Sequence, residues 1–310
     1  MNTRIRLIVV CGPTAVGKTG AAIALAARFG GEIVNADSMQ VYRLMDIGTA
    51  KPTADEQACV RHHLVDVADP EESFDAARFA RMGRAAIAEI AGRGRVPIVA
   101  GGTGLYIKAL LYGLAKQAPS DAAVRRCLRR EAEQMGAAAL HRRLAAVDSE
   151  TAARVHPNDS VRIVRALEVY TLSGRPISAH HRDHGFADAP FDTFKIGLDM
   201  DRQSLYARID QRVDAMMTAG LAAEVRDLLA RGYSPELRSM QSLGYRHMVA
   251  FLDGRTSIDE AVATLKRDTR HFAKRQFTWF RADAEIRWTR VEDIAALFTD
   301  IAAFLNTPLR

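Results

Sequence analysis

RLIVVCGPTAVGKT, residues 6–19, joins an apolar run to the spacing G-x-x-x-x-G-K-[ST] between Gly12 and Thr19. An uninterrupted Leu/Ile/Val run of this length reads as a strand buried on both faces. The residues after it, from Lys18 to about Phe29, carry helical periodicity. A glycine-bounded turn between a strand and a helix lets consecutive backbone N–H groups point inward at the positive end of the helix, the arrangement that wraps phosphate oxygens. Gly12, Pro13, Thr14, Ala15, Val16 and Gly17 supply that cradle, Lys18 neutralises the phosphate charge, and the Thr19 hydroxyl is a ligand for Mg²⁺. The loop is read as a site for a diphosphate or triphosphate.

Outward from this loop, short β-rich runs alternate with helical stretches: EIVNAD, HHLVD, a helix from Asp75 to about Arg93, then VPIVAGG. That alternation predicts an α/β fold with a parallel sheet flanked by helices. From Pro119 to about Pro190 only helical periodicity is found, in DAAVRRCLRREAEQM, ALHRRLAAV and SVRIVRALEVYTLSG. FKIGLDM and IRWT then restore strands. The expected organisation is a P-loop core over 1–118, an all-helical insertion over 119–190, and the second part of the core over 191–310.

A chain of 310 residues is long enough for about two domains of roughly 150 residues and for a core without disulfides. With 48% hydrophobic and 26% charged residues it has an ordinary globular composition, which excludes a disordered chain. Cys11, Cys59 and Cys127 form no C-x-x-C pair, so a zinc cage or disulfide framework is not expected and a reducing, cytoplasmic setting is. Cys11 falls in a buried strand and is expected to be inert. No stretch reaches the ~18 apolar residues of a membrane span, so no membrane partner is expected. The net charge of +6 is compatible with a polyanionic partner.

Two further turns stand at carboxyl ends of strands, where open α/β sheets bind ligands. After the second strand comes NADSMQVYR: Asp37 is either a helix cap or a base facing the phosphate site, and Ser38, Met39 and Gln40 are suited to reading and packing on a base. VAGGTGLYIKAL repeats the strand–turn–helix form at Gly101, Gly102 and Thr103. Near the C-terminus, Ile258, Val262, Leu265, Phe272 and Trp279 recur on one stripe of a helix over 257–281, with Arg267, Arg270, His271, Lys274, Thr278 and Arg281 opposite. That second face is either solvated or tracks phosphates. HHRDH, residues 180–184, lacks the H-E-x-x-H geometry and is read as a solvated or RNA-facing loop. His62 and His63 are read as strand-edge structure.

GPTAVGKT, DSMQVYR, HHLVD, VAGGTGLYIKAL, VRALEVY, LGYR and KRQFTWFR occur in this order over nearly the whole chain. Together they closely resemble the bacterial tRNA dimethylallyltransferases, the isopentenyl-tRNA transferases. The resemblance implies a P-loop fold with a helical insertion. It also implies transfer of a dimethylallyl group from dimethylallyl diphosphate to the exocyclic N6 of the adenosine 3′-adjacent to the anticodon. Asp37 is then the general base, Lys18 and Thr19 act on the diphosphate with Mg²⁺, and Arg208 in LYARIDQRV reaches the diphosphate from the second half.

The same resemblance implies tRNA contacts at Asp37, Ser38, Met39 and Gln40, and single contact or gate positions at Thr103 and Arg125. It implies more at Val161, Arg162, Ile163, Val164 and Arg165, and at Gln241, Ser242, Leu243, Gly244, Tyr245 and Arg246. A last group is Lys274, Arg275, Gln276, Phe277, Thr278, Trp279, Phe280 and Arg281. The chain departs from the family pattern at Gln241–Gly244, where the family is usually richer in Gln and Arg, and at Val161, where Gln is common. The expected partners are the tRNA anticodon stem-loop and dimethylallyl diphosphate, and the expected state is a monomer.

Three rival readings use the same residues. A P-loop kinase would bind ATP in the loop and use Asp37 on an acceptor hydroxyl. A prenyltransferase acting on free adenine nucleotide would need no RNA-sized basic face. A non-enzymatic RNA-binding protein would leave the RNA mass unchanged.

Overall fold

The computed structural model of the protein describes residues 4–114, 119–184 and 190–307. Two units are distinguished: Met1–Leu111 with Pro190–Arg310, and Tyr112–Ala189. The expected boundary at residue 118 lies outside the described residues.

In the first unit, six strands make one parallel sheet: β1 (Ile5–Cys11), β2 (Gly31–Asn35), β3 (His62–His63), β4 (Val96–Gly101), β5 (Phe191–Asp199) and β6 (Arg287–Arg290). Their order is β3-β2-β4-β1-β5-β6, with Ile8 beside Ile98 on one side of β1 and beside Phe194 on the other. All six runs anticipated from sequence are strands. The central ones contain Leu7, Ile8, Val10, Val34, Ile98 and Ile196, none of them exposed, as strands covered on both faces require.

The helices of this unit are α1 (Lys18–Phe29), α2 (Ala54–Cys59), α3 (Ala76–Gly92) and α4 (Gly104–Tyr112), the last of which ends at the unit boundary. α1 begins without a side-chain cap, at Gly17 in the left-handed region, so its first amides face the loop. α3 is capped by the Asp75 carboxylate on the Arg78 amide.

The second unit is helical: α5 (Ala122–Met135), α6 (Ala137–Val147), α7 (Ser149–Arg154), α8 (Ser160–Ser173) and α9 (Ile177–His184). Leu128, Leu140, Leu144, Ile163 and Leu167 form its core. HHRDH, read as a loop, is the end of α9. His180 Nε2 there lies 3.3 Å from Ser173 Oγ.

The first unit resumes with α10 (Arg202–Thr218), α11 (Leu221–Ala230), α12 (Tyr245–Leu252), α13 (Ile258–Arg281) and α14 (Phe298–Asn306). α13 opens with a capping box in which Ser257 and Glu260 each accept the other's amide N–H. Its buried stripe is Ala261, Leu265, Ala273, Gln276 and Phe280, whereas Trp279 is 43% exposed. The expected stripe through Phe272 and Trp279 is therefore corrected: seven-residue spacing drifts round a helix of 3.6 residues per turn.

No helix among the described residues is long and apolar enough to cross a membrane.

Candidate active site

The strand order sets β4 between β2 and β1, so the turns that follow these three strands meet at one edge. Lys18 and Thr19 from the first turn, Asp37 and Gln40 from the second, and Ala100 and Gly101 from the third line one cavity. Asn35 and His62 line it as well. His62 was read as strand-edge structure; it is that, with Nδ1 2.8 Å from the Val60 carbonyl, and it also faces the cavity, where burial lowers its pKa.

Side-chain hydrogen bonds weld the turns together. Asp37 Oδ1 accepts the Met39 and Gln40 amides at 2.8 and 3.3 Å. The Thr103 hydroxyl accepts the Ser38 amide, and Gln276 accepts the Thr14 amide at 2.8 Å while donating to the Gly102 carbonyl at 2.9 Å. α13 can come this close because its neighbours lack side chains: a Cβ on Gly102 would stand 2.2 Å from Gln276 Nε2, and one on Gly104 2.1 Å from the Trp279 ring. The backbone of Ala15, at φ 66°, holds the first turn in a conformation that costs a non-glycine residue energy, as turns at functional sites often do.

Lys18 Nζ donates to the Pro13 carbonyl at 2.6 Å. Burial holds its pKa down at about 8, the Asp37 carboxylate opposing that fall and Arg212 adding to it. Burial likewise lowers Arg212, against Asp37 and Glu56, although a guanidinium keeps its charge. Lys18 and Arg212 thus both feel the field of the Asp37 carboxylate. Arg212 was not singled out from the sequence; Arg208, one turn earlier on α10, is exposed, and its charge acts on Arg212. Cys11 is buried and its thiol is pushed up to about 12, so it stays protonated.

A larger cavity of about 630 Å³ lies along the outer face of α13, lined among others by Lys274, Phe277, Thr278, Arg281 and Trp288. Arg281 stands over the Phe277 and Trp288 rings at 5.1 and 6.0 Å. Lys274, Arg275, Thr278 and Trp279 are exposed, as are Gln241 and Arg246; Ser242 and Leu243 are half-buried.

Several residues expected to touch RNA are inside. Ile163 and Val164 belong to the helical core. Gly244, Tyr245, Gln276 and Phe280 are buried. Val16, expected in the diphosphate cradle and not at the RNA, has its side chain in the sheet core. Arg125 and Arg165 both bind the carboxylate of Glu168, which is 0% exposed, at 3.0 and 2.7 Å. In that unit Val161, 73% exposed, and Arg162, paired with Asp159 at 3.1 Å, face outward.

The family model for IPP transferase matches residues 40–283. The tRNA dimethylallyltransferase of Desulfosudis oleivorans is 59% identical over 286 residues, 92% of this chain and 91% of that protein. Among solved structures, the tRNA isopentenylpyrophosphate transferase of Bacillus halodurans is 41% identical, with a TM-score of 0.73 over 97% of this chain and 96% of its own. A eukaryotic dimethylallyltransferase acting on tRNA is 28% identical, with a TM-score of 0.79 over 99% of this chain and 81% of its own.

Proposed function

The chain belongs to the IPP transferase family, and from that membership and the geometry of its cavity we infer that it is a tRNA-modifying prenyltransferase. It transfers a dimethylallyl group from dimethylallyl diphosphate to the exocyclic N6 of the adenosine on the 3′ side of the anticodon and releases diphosphate. The observation that carries this reading is the convergence of Lys18, Thr19, Asp37 and Gln40 on one cavity.

An adenine amine is a weak nucleophile because its lone pair is delocalised into the ring. An allylic diphosphate compensates as an electrophile whose carbon gains cationic character while the departing oxygens are held. In this reading the cradle amides, Lys18 and Arg212 bind the diphosphate and take up its growing charge. The N6–C bond forms as the C–O bond breaks, the electron pair leaves with the diphosphate, and the amine proton passes to the Asp37 carboxylate. Asp37 Oδ1 is engaged by backbone amides, which leaves Oδ2 for the proton.

The Thr19 hydroxyl is a hard oxygen donor on the cavity wall, suited to a Mg²⁺ shared with substrate phosphates. Bound there, Mg²⁺ would supply further charge neutralisation on the diphosphate. The tRNA is read by the exposed Lys274–Arg281 face and by the outward face of α8, and the target base leaves its stack to enter the cavity. We also propose that the protein acts as a cytoplasmic monomer.

Incubation of the purified protein with unmodified tRNA, Mg²⁺ and dimethylallyl diphosphate should add one prenyl group to the RNA, read by mass spectrometry. An RNA of unchanged mass overturns the reading. ATP binding tighter than that of dimethylallyl diphosphate would favour a kinase.

A further inference from the structure

Glu224, on α11, has no place in the chemistry above, yet its carboxylate is the most heavily engaged acceptor near the site. Oε2 accepts the Asp46 and Ile47 amides at 2.9 and 2.7 Å. Oε1 accepts the Gly48 amide at 3.1 Å and the Tyr245 hydroxyl at 2.6 Å. Three successive amides turned toward one anion form a nest, here filled by a side chain of the same protein. The loop so held is strained: Leu44 and Ala50, at its two ends, have φ of 66° and 48°. Such backbone persists only where its surroundings over-determine it.

The two residues after the nest carry the consequence. Gln40 Nε2 donates to the Thr49 carbonyl at 3.2 Å and to the Ala50 carbonyl at 2.9 Å. Both amide hydrogens are thereby spent, and Gln40 Oε1 has no hydrogen-bond partner among the described residues. Gln40 lines the cavity together with Asp37. A glutamine amide is otherwise free to present either end, and the two ends read opposite base edges.

We propose that Glu224 is a positioning residue which, through the Asp46–Gly48 loop, fixes the Gln40 amide so that its acceptor oxygen alone meets the base beside Asp37. This rests on the reading that the target adenine enters at Asp37. Its amine carries two hydrogens: one goes to the Asp37 carboxylate, the other to Gln40 Oε1. A base with a carbonyl oxygen at that position would meet two acceptors and no donor.

The test measures binding of two anticodon stem-loops, with adenosine or inosine at the target position, to the wild-type protein and to Glu224→Gln, with prenyl transfer to the adenosine loop by the wild-type protein as control. The wild-type protein should prefer adenosine by roughly tenfold or more, the size of one good polar discrimination, and Glu224→Gln should shrink that preference to about threefold or less. The new amide sets a donor against a cluster of donors, which frees the loop and lets the Gln40 amide turn. A residue that only braces the fold would lower the melting temperature and leave the preference intact. An unchanged preference in the variant, or none in the wild-type protein, overturns the proposal. Should Glu224→Gln not fold, Glu224→Asp, which draws the carboxylate back from the nest, must reduce the preference in the same way. Absence of prenyl transfer by the wild-type protein is a separate result that removes the functional reading and this proposal with it.

Discussion

Thr103 Oγ1 accepts the backbone N–H of Ser38 at 3.0 Å, so the turn after β4 and the turn that carries Asp37 are one rigid unit. Thr103→Val keeps the shape but strands that amide, which typically costs about 1–3 kcal/mol. We expect kcat to fall about tenfold with Thr103→Val because Asp37 loses its fixed aim, while Thr103→Ser, which restores the acceptor, stays within about threefold of the wild-type protein. Steady-state kinetics on an anticodon stem-loop measures both.

Lys18 gives the site a pH signature. Its pKa of about 8 lies well below the ordinary lysine value, so the donor-free protein loses this cation as pH rises through 8. Binding of an anionic donor should be strongest below pH 8 and weaken above it, since the diphosphate binds the protonated amine. Folding responds in the opposite sense. Between pH 8 and the unfolded-state value the unfolded chain holds the extra proton, so stability contributed at this position rises with pH. Lys18→Arg should abolish the alkaline break in donor affinity, measured by calorimetry across pH 7 to 10. Lys18→Ala should weaken donor binding or turnover roughly ten- to a hundredfold.

Arg212 and Arg208 make a matched pair of controls on one helix. Arg212 shares the field of Lys18 and Asp37, whereas Arg208 is exposed. Arg212→Ala should therefore cost about ten- to a hundredfold in kcat/KM for dimethylallyl diphosphate, as loss of a buried charge-assisted contact does. Arg208→Ala should change it little. Equal effects from the two variants would show that both reach the diphosphate.

The strands and the glycine turn after β1 were legible because each is local: an apolar run, a glycine spacing and a following helix lie within a few residues of each other. Arg212 was not. LYARIDQRV offers two arginines one turn apart, and which of them feels Asp37 is fixed by how α10 packs in the fold, not by spacing. For the same reason Trp279 fell on a sequence stripe with Leu265 yet stands exposed beside Gly104. The Glu224 nest joins residues 178 positions apart, and a lone Glu on an amphipathic helix carries no sign of three amides waiting for it. Arg125 and Arg165 resembled an RNA-facing pair because a sequence does not reveal that Glu168 between them is buried.

α13 separates free cations from committed ones. Arg267, Arg270 and Arg281 face Asp268, Asp210 and Asp199, while Lys274 and Arg275 have no carboxylate partner among the described residues. Lys274→Ala and Arg275→Ala should each lower the slope of log K for tRNA against log salt by roughly 0.7 to 0.9, leaving donor binding unchanged. Arg270→Ala should move the slope much less, because its charge is already balanced. Binding titrations from 50 to 200 mM salt, roughly the range over which such slopes are read, decide the matter.

Asp37→Asn isolates the proton transfer from everything else that this residue does. Its Oδ1 accepts two backbone amides, and an asparagine carbonyl oxygen can keep both, so the turn and its hold on Gln40 survive the substitution. What is lost is the basic oxygen facing the cavity. A positioned general base contributes about 10²–10⁴-fold, and turnover should drop by that factor. Affinities for tRNA and donor should stay within a few-fold, because the deficit falls on the transition state and not on ground-state binding. Single-turnover measurements at saturating RNA separate the two. If Asp37→Asn instead lost tRNA binding while chemistry at saturation stayed near normal, Asp37 would be a recognition group, and the proton would have to leave by another of the cavity's groups, such as His62.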